Sequence, residues 1–169
     1  STTAGFNTVS IGKLSTTSLA VLIAAMVIGA SPSGTGGGIK TTSISVLLGV
    51  VRSVMKGQYK QITFLNKTIP LNRVFTAIAA TTTYMFTLVI VVYLLTLTEQ
   101  FSFMEICFEA ASALGTVGLS MGITADLSNT GKIILSLAMF LGRVGPLSIG
   151  IAFFKSSSNV VACKSDLAT

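Results

Sequence analysis

The sequence contains no histidine and no tryptophan, only two cysteines and three prolines, and just 9% of it is charged. Without histidine there is no imidazole for a metal site, a proton relay or a Ser-His-Asp triad. The two cysteines, Cys107 and Cys163, are too few for a thiolate zinc site or a disulfide scaffold. The shortage of charge excludes more. A soluble domain carries about 25% charged residues, whereas 51% of these 169 residues are hydrophobic. Such a composition suits lipid better than water, and the chain reads as integral to a membrane.

The charge that is present has a location. The net charge is +6, and six of the eleven basic residues (Lys40, Arg52, Lys56, Lys60, Lys67 and Arg73) lie in one stretch free of acids. That stretch separates two uncharged runs, Leu14 to Ile39 and Val74 to Thr98. Basic residues beside apolar runs mark the cytoplasmic side of a membrane. They do not need a nucleic-acid partner, and none is expected.

Val74–Leu97 would reach ~36 Å as a helix, enough for a ~30 Å hydrocarbon core. It runs outward from the basic stretch and delivers Glu99 to the exterior. Residues 131–154 return to the inside, and a run from about Leu14 to Ala30 also heads inward. Cys107 and Cys163 then fall on different sides, which argues against an intrachain disulfide. No basic segment precedes an apolar core at the start, so no signal peptide is expected. Phe101–Ala113 is too short to cross, and glycines follow it from Gly115 to Gly122. A short helix that dips in and returns as a glycine-containing strand is the build of an ion-selectivity filter. An extracellular loop with one helical turn is the plainer alternative.

The chain also repeats itself. A shift of 113 positions superposes Thr3 on Thr116, Gly5 on Gly118, Leu14-Ser15 on Leu127-Ser128, Met26 on Met139 and Gly29 on Gly142. The repeated unit reads as outer helix, re-entrant pore helix, filter strand and inner helix, complete in the second copy and truncated in the first. The expected divisions are residues 1–55 (filter strand and broken inner helix), 56–73 (cytoplasmic connector with a hairpin), 74–155 and a cytoplasmic tail at 156–169. Within 74–155 the parts are outer helix 74–97, pore helix 103–113, filter 114–120 and inner helix 131–154. The expected fold class is therefore all-α integral membrane, related to the potassium-channel pore unit.

Two further features interrupt the apolar text. Gly29-Ala30-Ser31-Pro32-Ser33-Gly34-Thr35-Gly36-Gly37-Gly38 places five glycines and a proline in ten residues, which no regular helix tolerates. A phosphate-binding loop is excluded in detail, because Ile39 separates the last glycine from Lys40 and a hydrophobic helix precedes. A helix kink and a mobile loop both remain open. Arg143 stands ten uncharged residues after Lys132 and eleven before Lys155. A buried mid-span arginine costs about 2.5–3.5 kcal/mol on the lenient insertion scale, so it is expected to face a polar interior. Glu109 on the pore helix has three readings: a brace for the filter backbone, a vestibule carboxylate, or an interfacial one bonded only to backbone.

Thr2-Thr3-Ala4-Gly5-Phe6-Asn7, Gly34 to Thr42 (GTGGGIKTT), Gly115-Thr116-Val117-Gly118-Leu119 and Gly142-Arg143-Val144-Gly145-Pro146 occur in that order. Together they resemble the last two repeats of the Trk/Ktr/HKT superfamily of potassium transporters, closest to the bacterial Ktr-type, sodium-activated membrane subunit. The resemblance implies a pore of four repeats, of which this chain supplies two filter strands as the C-terminal part. It implies K+ ligation by backbone carbonyls of Thr3, Ala4, Gly5, Thr116, Val117 and Gly118, with Na+ as a further passenger or an activator. It implies a gate made of the loop from Gly29 to Gly38 together with Arg143. One glycine per strand implies fewer ordered ion sites and looser selectivity than in a potassium channel. The implied partners are the missing N-terminal repeats, a second full-length copy, a cytosolic ring of nucleotide-binding regulatory subunits and membrane lipid. No organic cofactor and no enzymatic chemistry are expected. A structural or regulatory membrane fragment, which forms no pathway without another chain, is the second functional class.

Overall fold

The computed structural model describes residues 11–29, 36–57, 63–64, 67–145, 147–148 and 151. The expected first filter strand (Thr3, Ala4, Gly5), the middle of the glycine-rich loop (Ala30, Ser31, Pro32, Ser33, Gly34, Thr35) and the expected cytoplasmic tail from 156 to 169 lie outside these residues.

A short 3-10 turn, Ile11–Lys13, leads into helix α1, Thr16–Val27. Helix α2 covers Thr41–Met55, and a small antiparallel hairpin follows, strand β1 (Thr63–Phe64) pairing with β2 (Lys67–Thr68). Then come α3 (Leu71–Thr98), α4 (Phe103–Leu114) and α5 (Asn129–Val144). Helices α1 and α5 start 113 residues apart, at the offset of the sequence repeat. Both starts are capped in the same way. The Ser15 hydroxyl accepts from the Ser18 N–H at 3.4 Å, and the Ser128 hydroxyl accepts from the Gly131 N–H at 3.1 Å. A serine oxygen at this position satisfies a backbone donor that the first turn leaves unpaired.

Helix α3 is the one described helix long and apolar enough to cross a bilayer, and only 17% of its most apolar window is buried. A core helix of a soluble protein would be mostly covered. Phe75, Phe86, Val89, Tyr93 and Leu97 are instead exposed along it. Five of its seven threonines do not need water. Thr76, Thr83, Thr87, Thr96 and Thr98 each donate to the carbonyl four residues back. This internal pairing lets hydroxyls ride on a helix in an apolar medium.

Helix α4 is the opposite case. From Phe108 to Leu114 every residue is buried, and the helix packs against α1, α3 and α5. Its start reads in the sequence as S-x-x-E, and the Glu105 carboxylate accepts from the Ser102 N–H at 2.9 Å. One apolar cluster joins it to α3 and α5 through Leu95, Ile106, Ala110, Leu114, Leu135 and Ala138. A second joins it to α1 through Leu19, Met26, Phe108 and Ala111. Twelve residues span ~18 Å, well short of a bilayer.

The inner helix differs from the sequence expectation of 131–154. Helix α5 stops at Val144, where Gly145 takes φ +88°, and the chain is helical again at 147–148 and 151. Glycine in the left-handed region followed at once by proline, which has no N–H to donate, ends a helix. Arg143 therefore sits in the last turn of a helix and not in the middle of an unbroken one. The earlier uncharged run, Leu14 to Ile39, is likewise divided, since α1 ends at Val27.

Candidate functional site around the end of helix α4

Helix α4 ends in a tight return. The N–H groups of Gly115, Thr116 and Val117 donate back to the carbonyls of Ala111, Ala113 and Ser112 at 2.8, 3.1 and 3.0 Å. Backbone handedness alternates through this return. Gly115 has φ −73°, Thr116 +52°, Val117 is negative and Gly118 is +81°. Positive φ costs glycine little, but for a β-branched threonine it is a strained conformation that the surroundings must enforce. The N–H groups of 115–117 are thereby committed inward, toward the last turn of α4. Val117 is buried in the α1–α4 cluster, whereas Gly118 is exposed.

The constraint on Thr116 comes from the glycine-rich loop. Its hydroxyl accepts from the Gly37 N–H at 2.8 Å. The loop's two ends are themselves tied together. Ile28 and Ile39 form an isolated parallel bridge, with the Gly29 N–H on the Ile39 carbonyl (3.0 Å) and the Ile39 N–H on the Val27 carbonyl (3.1 Å). A side chain at Gly29 would overlap the Gly37 carbonyl. One at Gly37 would stand 2.9 Å from the Leu114 carbonyl oxygen and 3.0 Å from that of Gly142. A Cβ at Gly142 would collide with the Leu114 carbonyl outright. The end of α4, the return arm of the loop and the end of α5 thus meet backbone to backbone, which only residues lacking Cβ permit.

Arg143 follows Gly142 directly and borders two cavities. One, about 510 Å³, is lined by Thr116, Val117, Gly118 and Glu109. The other, about 520 Å³, is lined by Gly36, Gly37, Gly38, Lys40 and Tyr84. Arg143 is thus placed where the two cavities adjoin. Of the residues singled out in the sequence, the structure brings together Thr116, Val117, Gly118, Gly37, Gly38 and Arg143, with Gly29 and Gly36 beside them. Thr3, Ala4, Gly5 and Ala30 to Thr35 lie outside the described residues. Among the described residues no cluster of acidic or cysteine side chains could hold a resident metal ion.

Glu109 resolves one of the readings left open by the sequence. It is 5% exposed and both oxygens are used. Oε1 accepts from the Ser120 hydroxyl (2.5 Å) and the Met121 N–H (3.1 Å), and Oε2 accepts from the Thr124 hydroxyl (3.0 Å). It braces the segment that follows Gly118. Its three donors come from residues eleven to fifteen positions away, in a loop whose path the sequence alone does not reveal.

The site is thus a short buried helix, a tight backbone return and two glycine-bearing segments packed against it. The TrkH family of cation transport proteins matches residues 1–161, and the chain belongs to that family. It is 36% identical over 157 residues to the Ktr system potassium uptake protein B of Bacillus subtilis, covering 93% of this chain and 35% of that protein. To the Ktr system potassium uptake protein D of the same organism it is 40% identical over 148 residues, covering 85% and 32%. To the potassium/sodium uptake protein NtpJ of Enterococcus hirae it is 35% identical over 154 residues, covering 87% and 33%. The chain spans about a third of the length of these relatives.

Proposed function

We propose that this chain is the C-terminal, pore-lining part of a potassium uptake subunit in a cell membrane, with residues 40–73 and the C-terminus on the cytoplasmic side. The observation that carries the reading is the alternation of φ sign from Gly115 to Gly118 at the end of a buried helix. In such alternation successive carbonyls turn to one side, and a row of carbonyls replaces the water of a dehydrated cation without fixed charge. The C-terminal end of α4 adds partial negative charge at the same place. Thr116, Val117 and Gly118 supply one strand of ligands, and Thr3, Ala4 and Gly5 supply the equivalent strand of the first copy. The cargo is K+, with Na+ as an alternative passenger or activator, as the relatives' names indicate for those proteins.

The loop from Gly29 to Gly38 closes the path below the filter, and Arg143 places a positive barrier beside it. The remaining filter strands come from N-terminal repeats, consistent with coverage of a third of each relative. A second full-length copy and a cytosolic nucleotide-binding ring complete the assembly. The deciding experiment measures K+ uptake by a potassium-requiring strain carrying the full-length subunit, either unaltered or with Gly118→Ser. Uptake by the first and not by the second is expected. Normal uptake by Gly118→Ser, with the protein present in the membrane, would remove residues 116–118 from the path.

A further inference from the structure

A filter strand with one glycine and a strained threonine needs an external support, and only its inner end receives one from the loop, through Gly37. The outer end continues from Gly118 into Leu119, Ser120 and Met121, which carry no regular secondary structure. We infer that Glu109 is the positioning residue for this outer end, and that its carboxylate determines how well the pore separates K+ from Na+. The inference rests on the transport reading above.

The geometry is specific. Glu109 lies midway along α4, the most deeply buried helix, so its own backbone is fixed from three sides. Its carboxylate accepts two hydroxyls and one backbone N–H, all from residues 120–124. Those donors also lie close together. Ser120 and Thr124 hydroxyls are 2.8 Å apart, and the Gly122 N–H donates to the Ser120 oxygen at 2.9 Å. One carboxylate thereby anchors a five-residue turn to the rigid helix. Two residues separate Gly118 from Met121, so any slack at the anchor reaches the Gly118 carbonyl directly. A cage of carbonyls favours the larger ion only if it resists closing around the smaller one. Glu109 supplies that resistance from behind, while lining the same cavity as Thr116, Val117 and Gly118.

Glutamine is the informative replacement. It keeps the shape, but its amide nitrogen is a donor facing a donor. Charge and support can be separated, since Ser120→Ala with Thr124→Val removes two anchoring donors and leaves the carboxylate. Competitive uptake of K+ and Na+ would be measured for the full-length subunit in cells, together with amide hydrogen exchange across residues 117–124 of the purified protein. Glu109→Gln is expected to lower the K+/Na+ preference roughly tenfold, the scale of one lost charge-assisted hydrogen bond. The Ser120→Ala, Thr124→Val pair should lower it in the same direction, with faster exchange at Met121 in both. If the pair keeps the parental preference, the positioning role is overturned, whatever Glu109→Gln does. That pair also decides the matter should Glu109→Gln fail to accumulate. An unaltered subunit that transports neither ion would overturn the transport reading and this inference with it, whereas parental preference in both variants overturns this inference alone.

Discussion

The backbone N–H of Gly37 and the hydroxyl of Thr116, 79 residues apart in sequence, meet at 2.8 Å. The bond joins the return arm of the glycine-rich loop to the first strained residue of the proposed filter. A displacement of that arm cannot leave Thr116 undisturbed, so the proposed gate and the proposed filter share one contact.

Thr116→Ser keeps the acceptor oxygen and should preserve uptake by the full-length subunit. Thr116→Val matches the shape but loses the acceptor, leaving the Gly37 N–H unpaired at a cost of about 1–3 kcal/mol. Faster hydrogen exchange at Gly37 and altered uptake are expected for valine only. Equal behaviour of the two variants would show that the bond does not couple the segments.

Gly142→Ala places a methyl group on the Leu114 carbonyl, a backbone atom that cannot move aside cheaply. The expected result is loss of folded protein or of uptake, with a fall in thermal stability of several degrees in detergent. Gly12→Ala is the matched control, since its Cβ would meet only the Met121 carbonyl at an ordinary 3.6 Å. Equal stability of both variants would contradict the close packing of α4 on α5.

Glu99 closes the far end of the molecule. Its carboxylate accepts from the Ser128 N–H (3.2 Å) and hydroxyl (2.5 Å), fastening the end of α3 to the start of α5. Glu99→Ala and Ser128→Ala should each destabilise by about 1 kcal/mol, and the double variant by less than their sum. Additive losses in a double-mutant cycle of thermal stability would mean that the two residues act separately.

Arg143→Ala should change the rate of cation flux while leaving the amount of folded protein nearly unaltered. The helix dipole favours an arginine in the last turn by about 0.3–1 kcal/mol, so fluxes are compared at equal amounts of folded protein in the membrane. Unchanged flux and gating in the assembled transporter would rule out the barrier role.

Local chemistry was legible and long-range pairing was not. The ends of α4 follow from Ser102-x-x-Glu105 at one side and Gly115 at the other, and α3 follows from an uncharged run bounded by Arg73 and Glu99. The serine starts of α1 and α5 were visible as an internal repeat. The break at Gly145 was missed, because hydropathy continues past Gly145-Pro146 although those two residues already carry the stop signal. Nothing in a single sequence pairs Gly37 with Thr116 or sends Ser120 and Thr124 to Glu109, since such partners are chosen by the packing of distant segments. The same limit left the three readings of Glu109 open.

The pairing of Ile28 with Ile39 has a consequence for how such a chain can vary. With both feet of the intervening segment fastened to each other, the directions of α1 and α2 are fixed without reference to what lies between. A residue or two added there raises the closure cost by only a few tenths of a kcal/mol, since that cost grows with the logarithm of length. The freedom ends at Gly29, Gly37 and Gly38, whose packing admits no side chain: only the sequence between Gly29 and Gly37 is a cassette that can change in length while the surrounding helices keep their course.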